Sequence, residues 1–93
     1  MTSSIPITHN AAASRFECTV DGHLSVADYQ LHDGVMLMTH TGVPAALQGR
    51  GMAAALVAEA IAHARAQGLK VKPLCSYVDV WMRRHPESLD LLA

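Results

Sequence analysis

The sequence has little of what most often betrays a binding or catalytic role. Its two cysteines, Cys18 and Cys75, are too far apart to form a Cys-x-x-Cys metal or redox pair, and none of the six histidines stands in a zinc-ligand pattern. Charged residues make up only 16% of the chain and sum to −1. The basic ones are scattered apart from Lys70, Lys72 and the neighbours Arg83 and Arg84, so the electrostatic footprint of a nucleic-acid binder is missing and no such partner is expected. No apolar run reaches the ~18 residues that span a bilayer, since Glu59, His63 and Arg65 interrupt the richest stretch, and no membrane partner is expected. The opening "MTSSIPITHN" lacks the charged start and apolar centre of a secretion signal, which points to a reducing cytoplasm. Internal repeats are absent, and the one small-residue tract, Ala11 to Ser14, reads as a turn. What is present is apolar substance: 51% of 93 residues, enough for one domain over 1–93 and one core, and too few residues for two.

The first half reads as strands. In "RFECTV", Phe16, Cys18 and Val20 alternate with polar residues, the period of a half-buried strand. Asp21-Gly22 suits a two-residue hairpin turn, and Asp33-Gly34 supplies a second. Between them the apolar phase shifts from Leu24 and Val26 to Tyr29 and Leu31, which predicts a β-bulge near Ala27 or Asp28. "VMLMTHTGV" is apolar on both faces through Met38 and predicts a central strand covered on both sides. A short extra strand is expected around Ile7 and Thr8.

After Pro44 the period changes. Met52, Ala53, Leu56, Val57, Ala60, Ile61 and Ala64 fall at steps of three and four and make one stripe of a helix. His63 falls opposite that stripe and is expected to pair with Glu59 at helical spacing, and Gly68 ends the helix. "LKVKP" gives a short strand closed by Pro73, and "YVDVWMRRH" a second helix stopped by Pro86, with Tyr77 and Trp81 on one face toward the core. An antiparallel meander that gains one parallel strand through a helical crossover is a mixed α+β fold.

The segment "LQGRGMA" places two glycines and an arginine where the first helix begins. Outward N–H groups at the positive end of a helix dipole suit a phosphate or pyrophosphate, with Gly49 and Gly51 allowing close approach and Arg50 adding charge; a plain loop before a helix uses glycines equally well. A dinucleotide fingerprint fails for want of an acid about 20 residues on, and a P-loop for want of Lys-Ser or Lys-Thr after the glycines.

"QGRGMA" resembles the Gln/Arg-x-x-Gly-x-Gly/Ala pyrophosphate loop of the GNAT superfamily of acyl-CoA N-acetyltransferases. With "HTGVP" before it, "LKVKPLCSYV" after the helix and "RRHPE" near the end, the chain from about Phe16 to Leu92 resembles the minimal single-domain GNAT-like family related to the bacterial protein YjdJ. The resemblance implies a GNAT-like fold and acetyl-CoA as cofactor. Val43 would pair with the pantetheine arm, and Gln48, Gly49, Arg50, Gly51, Met52 and Ala53 would cradle the pyrophosphate. It also implies Cys75 beside the acyl thioester and His40 as the second candidate for chemistry.

Cys75 stands just before the second helix, whose dipole favours a thiolate, so it can take the acetyl group or protonate the departing CoA thiolate. A histidine can accept a proton near neutral pH, which makes His40 a candidate base beside a plain structural role. Tyr77 is a candidate for the acyl pocket and Arg84 for the CoA phosphates, against plain roles in packing and helix capping. Cys18 reads as core. The expected activity is acetyl transfer to an amine or protein acceptor by a monomer or weak homodimer; the alternative is a non-catalytic acyl-CoA-binding or protein-interaction module on the same fold.

Overall fold

The computed structural model describes residues 5–93; residues 1–4, the start of the stretch read above for a secretion signal, lie outside the described residues. Five strands form one sheet in chain order: β1 (Thr8–Asn10), β2 (Arg15–Val20), β3 (His23–His32), β4 (Val35–Gly42) and β5 (Lys70–Pro73). The first four are antiparallel, and β5 joins β4 in parallel after the helix α1 (Met52–Ala66). A second helix, α2 (Ser76–Arg84), and a 3-10 segment, Pro86–Leu91, complete the chain. The mixed α+β meander, helix, strand, helix order is the one the periodicities imply. No described helix is long and apolar enough to cross a membrane.

The hairpin turns form where the sequence offers the right residues. Asp21 and Gly22 have φ of 52° and 77°, and Asp33 and Gly34 of 50° and 76°, the paired left-handed conformations whose twist matches that of the flanking strands.

The bulge lies beside Asp28, but on the partner strand. Asp28 pairs with His40 and Tyr29 with Met38, which leaves Thr39 of β4 as the surplus residue. The alternation of β3 is unbroken instead: Ser25, Ala27 and Tyr29 are buried, while Leu24 and Leu31, near the strand's two ends, stay exposed. Apolar identity misled here because burial follows the face that α1 covers. For the same reason β4 is covered on one side only. Met36 and Met38 are fully buried, whereas Val35 and Leu37 are half-buried on a face that no described helix covers.

The core joins Phe16, Cys18, Ala27, Met36 and Met38 of the sheet to Leu56, Val57, Ala60, Ile61 and Ala64 of α1, with Val71, Val78, Met82 and Leu91 closing the far side. Each large side chain so buried contributes about 1.5–3 kcal/mol. Ser25 is the polar intruder: its hydroxyl is fully buried without a good hydrogen-bond partner, and the Cys18 thiol across the strand pair offers only the weak partnership of sulfur.

Three details depart from the sequence reading. His63 does not pair with Glu59; it is half-buried against the sheet edge, its ring 4.4 Å from that of His9 and 5.6 Å from that of Phe16. Tyr77 is exposed and Trp81 only half-buried, its indole stacked at 3.8 Å on His85, so the core face of α2 is carried by Val78 and Met82. The third is a C-terminal strap. Arg65 holds both carboxylate oxygens of Asp90, at 2.9 and 3.0 Å, and the Glu87 carbonyl at 2.9 Å. Leu92 forms a bridge with Val71 that covers the free edge of β5.

The His9 contact makes stability depend on pH. His9 stacks on Phe16 at 4.2 Å and shares a hydrogen bond with the Tyr29 hydroxyl. Burial, and then the neighbouring His63, push its pKa below the usual 6.5. The unfolded chain therefore takes up this proton first, and stability that is complete above about pH 6.5 is lost as pH falls toward the folded-state pKa. The melting temperature is expected to drop between pH 7 and pH 5, with a shallower slope in His9→Gln; a flat wild-type profile through that window contradicts this.

Candidate functional site

The site begins where the sheet comes apart. Strands β4 and β5 pair from Val35 with Lys70 to Met38 with Pro73, and there the pairing stops. The Met38 carbonyl accepts from both Leu74 N–H and Cys75 N–H, each at 3.0 Å, and the chain turns away into α2. Residues 39–43 of β4 and its extension are left with no β5 neighbour, so a gap opens between the end of β4 and the start of α2.

Cys75 is the N-cap of α2, with extended φ and ψ of −85° and 133°. Its Sγ lies 3.5 Å from Thr41 Oγ1. Burial pushes the thiol pKa up, but the Thr41 hydroxyl and the N–H groups of Val78, Tyr77 and Thr41 outweigh it, and the net shift is downward. Several donors converging on sulfur at a helix N-terminus favour the thiolate. Cys18, by contrast, is buried and its pKa is pushed up, as befits a core residue.

The bulge decides which residue of β4 meets the cysteine. With Thr39 surplus, Thr41 stands opposite buried Ala27 and faces the helices, whereas His40 stands opposite Asp28 and faces the open side of the sheet. The structure therefore brings Cys75 to Thr41 and not to His40. His40 lies on the opposite face, its ring over Gly42. Sequence reading missed Thr41; a bulge assigned to β4 would have placed it inward.

The glycine segment lies at the other end of the gap. The N–H groups of Gln48 and Arg50 turn back to Ala45 and Leu47, while those of Gly49, Gly51, Met52 and Ala53 take no backbone partner among the described residues. Gly49 and Gly51 have φ of 83° and 82°, and a Cβ at either would meet nothing within 4 Å, so their backbone faces open space. A hollow of about 210 Å³ lies against them, lined also by Val43, Gln48, Met52, Ala53 and Tyr77. Gln48 donates from Nε2 to the Val43 carbonyl at 3.3 Å and so ties the loop to the end of β4.

The two arginines are placed differently. Arg50 points away from the hollow, to Asp21 Oδ2 at 3.3 Å in the first hairpin turn. Arg84 lines an adjoining hollow of about 240 Å³ with Tyr77, Trp81 and His85. Leu47 and Ala54 complete the first hollow and were not singled out from the sequence; an alanine and a leucine beside a glycine loop carry no signal of their own.

Comparison with known proteins fits this geometry. A family model described as GCN5-related N-acetyl-transferase matches residues 15–91, which spans all five strands but β1 and both helices. The chain belongs to the GCN5-related N-acetyltransferase family. Among solved structures, a GCN5-like protein from Staphylococcus aureus determined by NMR is similar in fold, with a TM-score of 0.76 and 24% identity over 99% of this chain and 91% of that one. No curated protein matches the sequence. GCN5-related N-acetyltransferases generally use acetyl-CoA, and the unpaired amides at the start of α1, together with the hollow beside them, suit an anionic ligand at least as well as bare solvent.

The reactivity of the two thiols should separate cleanly. Alkylation by iodoacetamide is expected at Cys75 before Cys18, with a rate midpoint below the ordinary thiol value of about 8.5. Thr41→Val should raise that midpoint; an unchanged midpoint would show that the hydroxyl does not act on the sulfur.

Proposed function

We propose that the protein binds acetyl-CoA in the gap between β4 and α2 and transfers its acetyl group to an amine. The observation that carries this reading is that the glycine loop, with its unpaired N–H groups, and the free end of β4 at Val43 line one hollow, while Cys75 meets Thr41, two residues before Val43, at the start of α2. Gly49, Gly51, Met52 and Ala53 offer their N–H groups to the pyrophosphate. Val43 offers its backbone to the pantetheine arm, with Gln48 holding that segment in place. Tyr77 lines that hollow and Arg84 serves the phosphates from the adjoining one, whereas Arg50, expected in the cradle, is turned to Asp21.

Acetyl-CoA, when bound, supplies an activated acetyl group as a thioester. The donors that converge on the Cys75 sulfur favour its deprotonated form, and we assign it the role of nucleophile and not of acid. Cys75 then takes the acetyl group while the CoA thiolate leaves. An amine arriving from the open face of the sheet attacks the acetylated cysteine, the bond to sulfur breaks and the thiolate is restored. His40, on that same open face, accepts the proton the amine sheds.

Two experiments test this. Calorimetry with acetyl-CoA should give binding that Gly49→Glu abolishes; the added Cβ meets no neighbour, and the left-handed φ costs about 1–2 kcal/mol of stability, so the variant should still fold. Release of CoA thiol across a panel of amines, polyamines and lysine peptides should be lost in Cys75→Ala. No heat with acetyl-CoA contradicts the cofactor, and undiminished release in Cys75→Ala contradicts the nucleophile.

A further inference from the structure

Six glycines occur in the chain, and five of them share one description. Gly22, Gly34, Gly49, Gly51 and Gly68 have positive φ, and a Cβ at any of them would meet nothing within 4 Å. Gly42 is the reverse on both counts. Its φ lies outside the left-handed region, so the backbone does not call for glycine. A Cβ there would instead lie 3.0 Å from His40 Nε2, 3.7 Å from Val26 Cγ2 and 3.8 Å from His40 Cδ2. Glycine weakens a strand by removing side-chain packing and adding chain entropy, and it often marks close approach of another group. Here the group that approaches is the imidazole two residues earlier.

The alternation of β4 explains why the two meet. After the bulge at Thr39, His40 and Gly42 share the open face of the sheet, opposite Asp28 and Val26, while Thr41 between them turns to Cys75. The ring lies along the strand, over the space a side chain at 42 would occupy. That direction leads to Val43 and the mouth of the gap.

We propose that Gly42 is a positioning residue whose missing side chain seats the His40 imidazole along β4, with Nε2 held over the strand end next to Val43. This rests on the reading of His40 as the proton acceptor given above. An alanine at 42 would force the ring to give way by a few tenths of an ångström, and a valine would displace it altogether. Asp28 is the charged group opposite the ring on β3.

Gly42→Ala and Gly42→Val ask for nothing the backbone forbids, and valine favours strands, so both should fold and bind acetyl-CoA as the wild type does. The imidazole NMR signals of His40 should move in both, further in the valine variant. Release of CoA thiol from acetyl-CoA, with spermidine or water as acceptor, should lose about 10²-fold in kcat in Gly42→Val, with KM unchanged. In a His40→Ala background the same substitutions should cause no further loss, because their effect runs through the ring. Unmoved His40 signals, an equal further loss in the His40→Ala background, or a wild-type protein that binds acetyl-CoA without releasing CoA would each overturn the proposal and leave the cofactor reading standing. Failure of the wild type to bind acetyl-CoA overturns that reading, and this one with it.

Discussion

The Met38 carbonyl accepts from Leu74 and from Cys75, and that forked hydrogen bond ends the pairing of β4 with β5. Everything at the site follows from it. Had β5 continued, Cys75 would have been one more strand residue and the edge of β4 would have been filled. Instead the chain turns after Pro73, and Cys75 becomes the N-cap of a helix whose first amides point at its own sulfur. The free edge of β4 and the activated thiol are two products of one break in the sheet.

The bulge at Thr39 works with that break. It reverses the facing of every residue after it, so that Thr41 goes to the helix side and His40 and Gly42 to the open side. Cys75, beside Thr41, and His40, the two groups proposed for the chemistry, then lie on opposite faces of the sheet. One face is lined by helices; the other is bare sheet, and it is there that the proposed function brings in the acceptor. The short turns at Asp21-Gly22 and Asp33-Gly34 leave that second face without a described helix over it.

Much of the architecture could be read from residue spacing alone. The α1 stripe from Met52 to Ala64, the Asp-Gly turns, the extra strand near Thr8 and the stop at Gly68 are local signals, and local physics honours them. The misses share a cause, which is that burial is decided by a distant partner. Leu24 and Leu31 look like core but lie where α1 does not reach, and Ser25 and Ala27 look neutral but lie beneath it. His63 looks solvated on the helix wheel, yet β1 brings His9 against it. The strap from Glu87 to Ala93 depends on Arg65 and Val71, which no pattern around Asp90 announces. The glycine loop was read as a candidate anion seat; the structure leaves its Gly49 and Gly51 amides without backbone partners among the described residues and turns Arg50 to Asp21.

The central claim is that the edge of β4 beyond Met38 is left unpaired for the cofactor arm. Amide hydrogen exchange measures this at the residues concerned. Val43 N–H should exchange quickly in the free protein, and Thr41 N–H, held only by the Cys75 sulfur, nearly so; both should become protected when acetyl-CoA is added, while Met36 and Met38 stay slow throughout. Slow exchange at Thr41 and Val43 in the free protein, or no gain in protection with acetyl-CoA, would contradict the account.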